Sequence, residues 1–137
     1  MKLHPRRHEL RTLLSSSRLP DLPPAAREAI NRVEATVMPP GAVARALDRY
    51  RRFLKQPGRW LTLPDDWFPC PLEDPIDARD ELEWILQQMP RRGRAALAAY
   101  VARLDAILRR RTLPDPLAAK RSTWAAEHWW RQRLLSP

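Results

Sequence analysis

The sequence predicts an all-α fold: one small helical domain over residues 1–137, with about five helices around a central alanine-rich apolar helix. Three observations carry this expectation. Between Ala95 and Leu108 only Arg103 and Asp105 are charged, in a chain where 30% of residues are. At 100° per residue, Leu97, Tyr100, Val101, Leu104, Ile107 and Leu108 share one stripe of that stretch, and Ala95, Ala99, Ala102 and Ala106 the opposite one. An ordinary surface helix carries charge on its far face, so this pattern predicts a helix with neighbours on both sides. The flanking segments also space their apolar residues at a helical period. Finally, fifteen prolines against three glycines divide the chain into stiffly joined pieces.

From the N-terminus, Pro5 to Leu14 can form a short helix with Leu10, Leu13 and Leu14 on one side. Three serines and Pro20, Pro23 and Pro24 end it, and residues 1–22 are expected to form a loosely attached arm. Pro24 suits a first helical position, where its missing N–H is not needed. Ala26, Ile30, Val33 and Val37 then mark an inner stripe until Pro39-Pro40-Gly41 stops the helix. The next helix turns Val43, Leu47, Tyr50 and Leu54 inward. Arg45, Arg49 and Arg52 lie nearly opposite, with Arg51 and Lys55 at the margin. This pair could form a helix-turn-helix, but its outer face lacks the Asn, Gln, Ser or Thr that read base edges. An ordinary helical hairpin with a solvated arginine face is the favoured reading.

Residues 56–75 hold too many prolines for a helix. Trp60, Leu61, Leu63, Trp67, Phe68 and Leu72 are too apolar for a free linker. The segment is expected to lie across the helices as a clasp rather than to serve as a proline-rich ligand. Asp74-Pro75 reads as a cap and first helical residue. The helix that follows runs to about Met89, with Ala78, Leu82, Ile85, Leu86 and Met89 inside and Asp77, Asp80, Glu81 and Glu83 outside. Trp84 falls among the acids. Something must cover it, either this chain or a partner. Arg109-Arg110-Arg111 ends the central helix, where the helix dipole favours cations. Asp115-Pro116 should open a last helix running towards Leu135. Trp130 and Leu134 share one side of it, Trp129 the flank, and Trp124 points elsewhere, so one face cannot bury all three tryptophans.

Of the 25 basic side chains, only Lys2, Lys55 and Lys120 are lysine, within a formal net charge of +9. The charge is segregated: residues 65–90 are acidic between two basic stretches. Partial neutralisation inside the fold is the favoured reading, and a basic surface offered to an acidic partner is the alternative. One cysteine, Cys70, excludes an internal disulfide framework. No apolar run reaches the roughly 18 residues of a membrane span, and the first residues lack the apolar core of a signal peptide. A cytoplasmic location is the expectation.

Sequence motifs for catalysis and cofactors are missing. There is no Gly-rich phosphate loop, G-x-S-x-G, H-E-x-x-H, C-x-x-C or EF-hand loop. His4 and His8 have metal-sharing spacing but no third ligand nearby, and Cys70 has no adjacent base. No enzyme activity, cofactor or metal is expected. The sequence favours a non-enzymatic protein-interaction module, such as an adaptor, accessory subunit or regulator. It would bind a protein partner through a Trp-rich basic C-terminal helix (Trp124, Trp129, Trp130, Arg131, Arg133) and the surface around Trp84. The alternative is a nucleic-acid-binding protein holding phosphates with Arg45, Arg49, Arg52, Arg109, Arg110 and Arg111. Assembly into a homo-oligomer is compatible with either reading.

Overall fold

A computed structural model describes residues 19–62 and 75–134. Four long helices run Pro24–Thr36 (α1), Ala42–Leu54 (α2), Asp77–Gln88 (α3) and Arg91–Arg110 (α4). Beyond α4, Leu113–Pro114 (β1) pairs antiparallel with Arg133–Leu134 (β2). Between these strands lie two short helices, Ala118–Arg121 (α5) and Thr123–Glu127 (α6), and a single 3-10 turn, Trp129–Arg131. Among the described residues the protein is all-α apart from this strand pair. No helix among the described residues is long and apolar enough to cross a membrane.

The inner stripes read from the sequence meet in one core. Val43, Leu47, Tyr50 and Leu54 of α2, Leu82 and Ile85 of α3, and Leu97, Leu104 and Leu108 of α4 have almost no surface in water. The helix α4 lies against α1, α2 and α3, which makes it the central element. Pro24 is the first residue of α1. The α1–α2 turn closes on Gly41, whose φ of 81° is the left-handed conformation that glycine adopts without strain. The Glu34 carboxylate, reaching from α1, accepts from the Gly41 and Val43 N–H groups at 3.0 and 3.2 Å and so supplies the cap that α2 lacks locally.

The α1–α4 contact depends on Gly93. A Cβ added there would lie 2.5 Å from Ala29 Cβ and 2.6 Å from the Ala25 carbonyl oxygen. Glycine to alanine in an open helix gains about 1 kcal/mol. Gly93→Ala is expected to reverse that sign, losing about 1–3 kcal/mol by overpacking in urea unfolding.

Several expectations are corrected. Ala95, Ala99, Ala102 and Ala106 face solvent instead of a second layer. The stripe of large residues alone is broad enough to meet three helices, and alanine is a good helix former in water. Val37 is 54% exposed, because α1 ends one residue before it. Arg51 is buried rather than marginal to the basic stripe, and its Nη1 donates to Tyr100 Oη at 2.8 Å.

The long C-terminal helix does not form. Ser122 and His128 are both extended (φ −159° and −129°), and Ser122 Oγ accepts from the Ala125 N–H as the cap of α6. The Gln132 side chain in turn donates to the Ala125 and Ala126 carbonyls. These breaks turn Trp130 into the core while Trp124 stays outside. Of the expected clasp, Leu61 is fully buried and its N–H donates to the Arg111 carbonyl at 3.0 Å. The rest of that segment from residue 63, the Asp74 cap, Cys70, and the N-terminal helix with His4 and His8 lie outside the described residues.

Candidate binding surface

A buried polar network joins three helices. Asp105 of α4 accepts from Tyr50 Oη (2.7 Å) and Arg79 Nε (2.9 Å) on Oδ1, and from Arg79 Nη2 (3.1 Å) on Oδ2. Arg79 Nη1 reaches Glu83 at 3.1 Å. Burial and then the Asp105 charge push the Tyr50 phenol well above its usual range, which keeps it protonated as a donor. Burial disfavours the Arg79 charge, but the bonds and charge of Asp105 and Glu83 outweigh it and hold the guanidinium above its ordinary value. A cleft of about 330 Å³ opens beside this network between α3 and α4. Within the network Arg79, Glu83 and Asp105 satisfy one another, so it reads as a clamp between helices.

The C-terminal segment docks onto the same clamp. The Trp130 ring lies 4.0 Å from Arg79 Cζ, its Nε1–H donates to Asp80 at 2.6 Å, and it is only 5% exposed. Arg131 forms ion pairs with Asp77 and Asp80. Arg133 Nε donates to Thr112 Oγ1, and its Nη2 to the carbonyls of Arg109 and Thr112, each at 2.9 Å. Trp130 and Arg131 therefore fasten the C-terminal segment to α3, and Arg133 fastens it to the end of α4. Acids from residues 75–90 take up cations from both basic stretches, since Arg49 pairs with Glu81 as well. Trp84 and Trp124 remain 41% and 52% exposed, with Trp124 edge-on to His128 at 4.3 Å.

The arginines expected to hold phosphate divide into two groups. On α2, Arg49 pairs with Glu81, Arg52 with Asp48 at 2.9 Å, and Arg45 donates to the Pro40 carbonyl. That stripe is largely neutralised where it stands. The second group is gathered by the fold at the adjoining C-terminal ends of α2 and α4. Arg111 donates to the carbonyls of Leu54 and Gln56, both at 2.5 Å, and of Gly58 at 3.0 Å, closing the end of α2. Arg59 donates to the Arg110 carbonyl at the end of α4. An indole accompanies an arginine at each side of this end: Arg59 Cζ lies 4.3 Å from the Trp60 ring, and Arg109 Cζ lies 3.8 Å from that of Trp129.

Lys55, Arg59, Arg109, Arg110, Arg111 and Arg133 thus converge from three parts of the chain. Each helix end supplies only about half a negative charge, so the dipoles offset a small part of this excess. Among the described residues no carboxylate pairs with Arg59, Arg109, Arg111 or Arg133. Burial and then the charge of Arg59 lower Arg111, and burial and then Arg109 lower Arg133. Chemically, the surface can bind an anion. Lys55, Arg59 and Trp60 carry no sign of this in the sequence, because their approach to Arg109–Arg111 is tertiary. The arginine run alone was visible.

The fold and the surface define a small all-α protein with a buried polar clamp and an arginine-rich end. No protein-family model matches the chain, and no curated protein or solved structure is significantly similar to it. No group of three or more His, Cys, Asp or Glu among the described residues is placed to hold a metal ion.

Proposed function

We propose that this protein is a non-enzymatic interaction module that holds a polyanionic partner on its arginine-rich end. The observation that carries the reading is the convergence of six cationic side chains at one end of the fold, four of them without a carboxylate partner among the described residues. The buried Asp105 is engaged by Arg79 and Tyr50, which gives it a structural role as the link between helices.

The test is binding of the purified protein to labelled oligonucleotides and to inorganic polyphosphate at about 50 and 200 mM salt. A site that neutralises some six phosphates loses on the order of a thousand-fold in affinity between those salts. Arg59→Glu combined with Arg109→Glu should abolish most of the low-salt binding with the helical circular dichroism unchanged. Arg32→Glu combined with Arg45→Glu should leave it within about twofold, because those side chains lie beside the start of α4 and near the start of α2, away from the arginine-rich end. No binding at low salt, or equal losses in both double variants, would overturn the assignment.

The exposure of Trp84 and Trp124 favours a second reading, a protein partner docked on those indoles. Under it, Trp84→Ala and Trp124→Ala change the unfolding free energy by about 0.5 kcal/mol or less, and each loses a partner captured from cell extract. Retention of the partner by both variants would remove this reading.

A further inference from the structure

Resting on the arginine-end reading, we propose that the polyanion is single-stranded nucleic acid, with phosphates on Arg59 and Arg109 and bases stacked on Trp60 and Trp129. Both rings are half-buried and tied to residues 109–111. Trp60 sits between Arg59, which donates to the Arg110 carbonyl, and Leu61, whose N–H donates to the Arg111 carbonyl. Trp129 lies under Arg109. The fold therefore sets two planar π surfaces at this arginine-rich end, each already receiving a planar guanidinium. A nucleobase is a planar group of the same kind, and base–indole stacking beside arginine is how sequence-tolerant single-strand sites are made.

The surroundings argue against the other polyanions. In duplex DNA the base faces are stacked within the helix and are closed to an indole. Reading a duplex from its major groove requires a helix face or ribbon that enters it. Here the cations sit on helix C-termini and a loop, and the arginine face of α2 is drawn to α3 through Glu81. An acidic peptide would use the charges but leave Trp60 and Trp129 without a role.

Four probes of equal charge separate these cases: a mixed-sequence single-stranded oligonucleotide, the corresponding duplex, inorganic polyphosphate and polyglutamate. The expected order of affinity has the single strand tightest, with quenching of tryptophan fluorescence by the oligonucleotide and not by polyphosphate. Trp60→Ala should weaken the single-strand complex about tenfold and leave polyphosphate binding unchanged. Trp129 also packs against the core, so Trp129→Phe, which keeps a ring, should retain binding, whereas Trp129→Leu should lose it. Duplex binding as tight as single-strand binding would overturn the proposal. So would tighter binding of polyglutamate, or equal effects of Trp60→Ala on the oligonucleotide and polyphosphate. In those outcomes the arginine-end function still stands, whereas failure of every polyanion to bind removes both.

Discussion

Asp105→Ala is expected to unfold the protein about 3–5 kcal/mol more easily, the range for removing one partner of a buried ion pair. The loss comes from what is left behind more than from what is removed. Arg79 is 5% exposed, and without Asp105 its guanidinium keeps one carboxylate, Glu83, while two of its three bonds vanish. The Tyr50 hydroxyl loses its acceptor in the same step. In thermal unfolding the loss corresponds to a fall in Tm of roughly 10–20 °C for a chain of this size. Asp105→Asn should be nearly as harmful, because the amide turns donors towards a group that only donates. The triple change Tyr50→Phe, Arg79→Met and Asp105→Leu should be milder than Asp105→Ala alone, since a buried pair replaced by apolar groups of similar volume is often neutral. If Asp105→Ala stayed within about 1 kcal/mol of the parent in urea unfolding, the clamp would not exist in solution.

This network also marks where sequence reasoning stops. The four long helices were legible because their apolar stripes are regular. Pro24, Pro90 and the Pro39-Pro40-Gly41 turn punctuate them as local backbone chemistry requires. Arg79 and Asp105 were legible in part: Arg79 stands three residues before Leu82 and seven before Leu86, and Asp105 four after Val101 and three before Leu108. Each is thus a charge on a core-facing stripe, and burying a lone charge is so costly that two opposite ones imply a pair. Which of many arginines meets Asp105, however, is decided by how α3 and α4 pack. The same holds for the arginine-rich end, where only Arg109–Arg111 are neighbours in sequence. The C-terminal helix failed for a different reason. Its helical spacing assumed an unbroken backbone, but the serine at 122 can offer its own cap, and interrupting the chain there lets Trp130 reach Arg79.

Trp130→Ala tests that last point, and the expected result is a loss of about 3–5 kcal/mol of stability. Trp130 is held between Arg79 on one face and His128, stacked at 4.6 Å, on the other, with Trp129 edge-on at 6.0 Å. Removing the ring empties the space above the clamp and leaves Asp80 without its indole donor, although Arg131 still pairs with it. Trp130→Phe keeps most of the ring and loses only the Nε1–H bond to Asp80, so its effect should fall to about 1–1.5 kcal/mol. The decisive comparison is with Arg59→Glu combined with Arg109→Glu. The tryptophan variant should lower stability while its folded fraction still binds the polyanion, and the arginine variant should do the reverse. Were Trp130→Ala instead to leave urea unfolding unchanged and abolish binding, Trp130 would belong to the partner surface, and the C-terminal segment would have to swing away from α3 to present it.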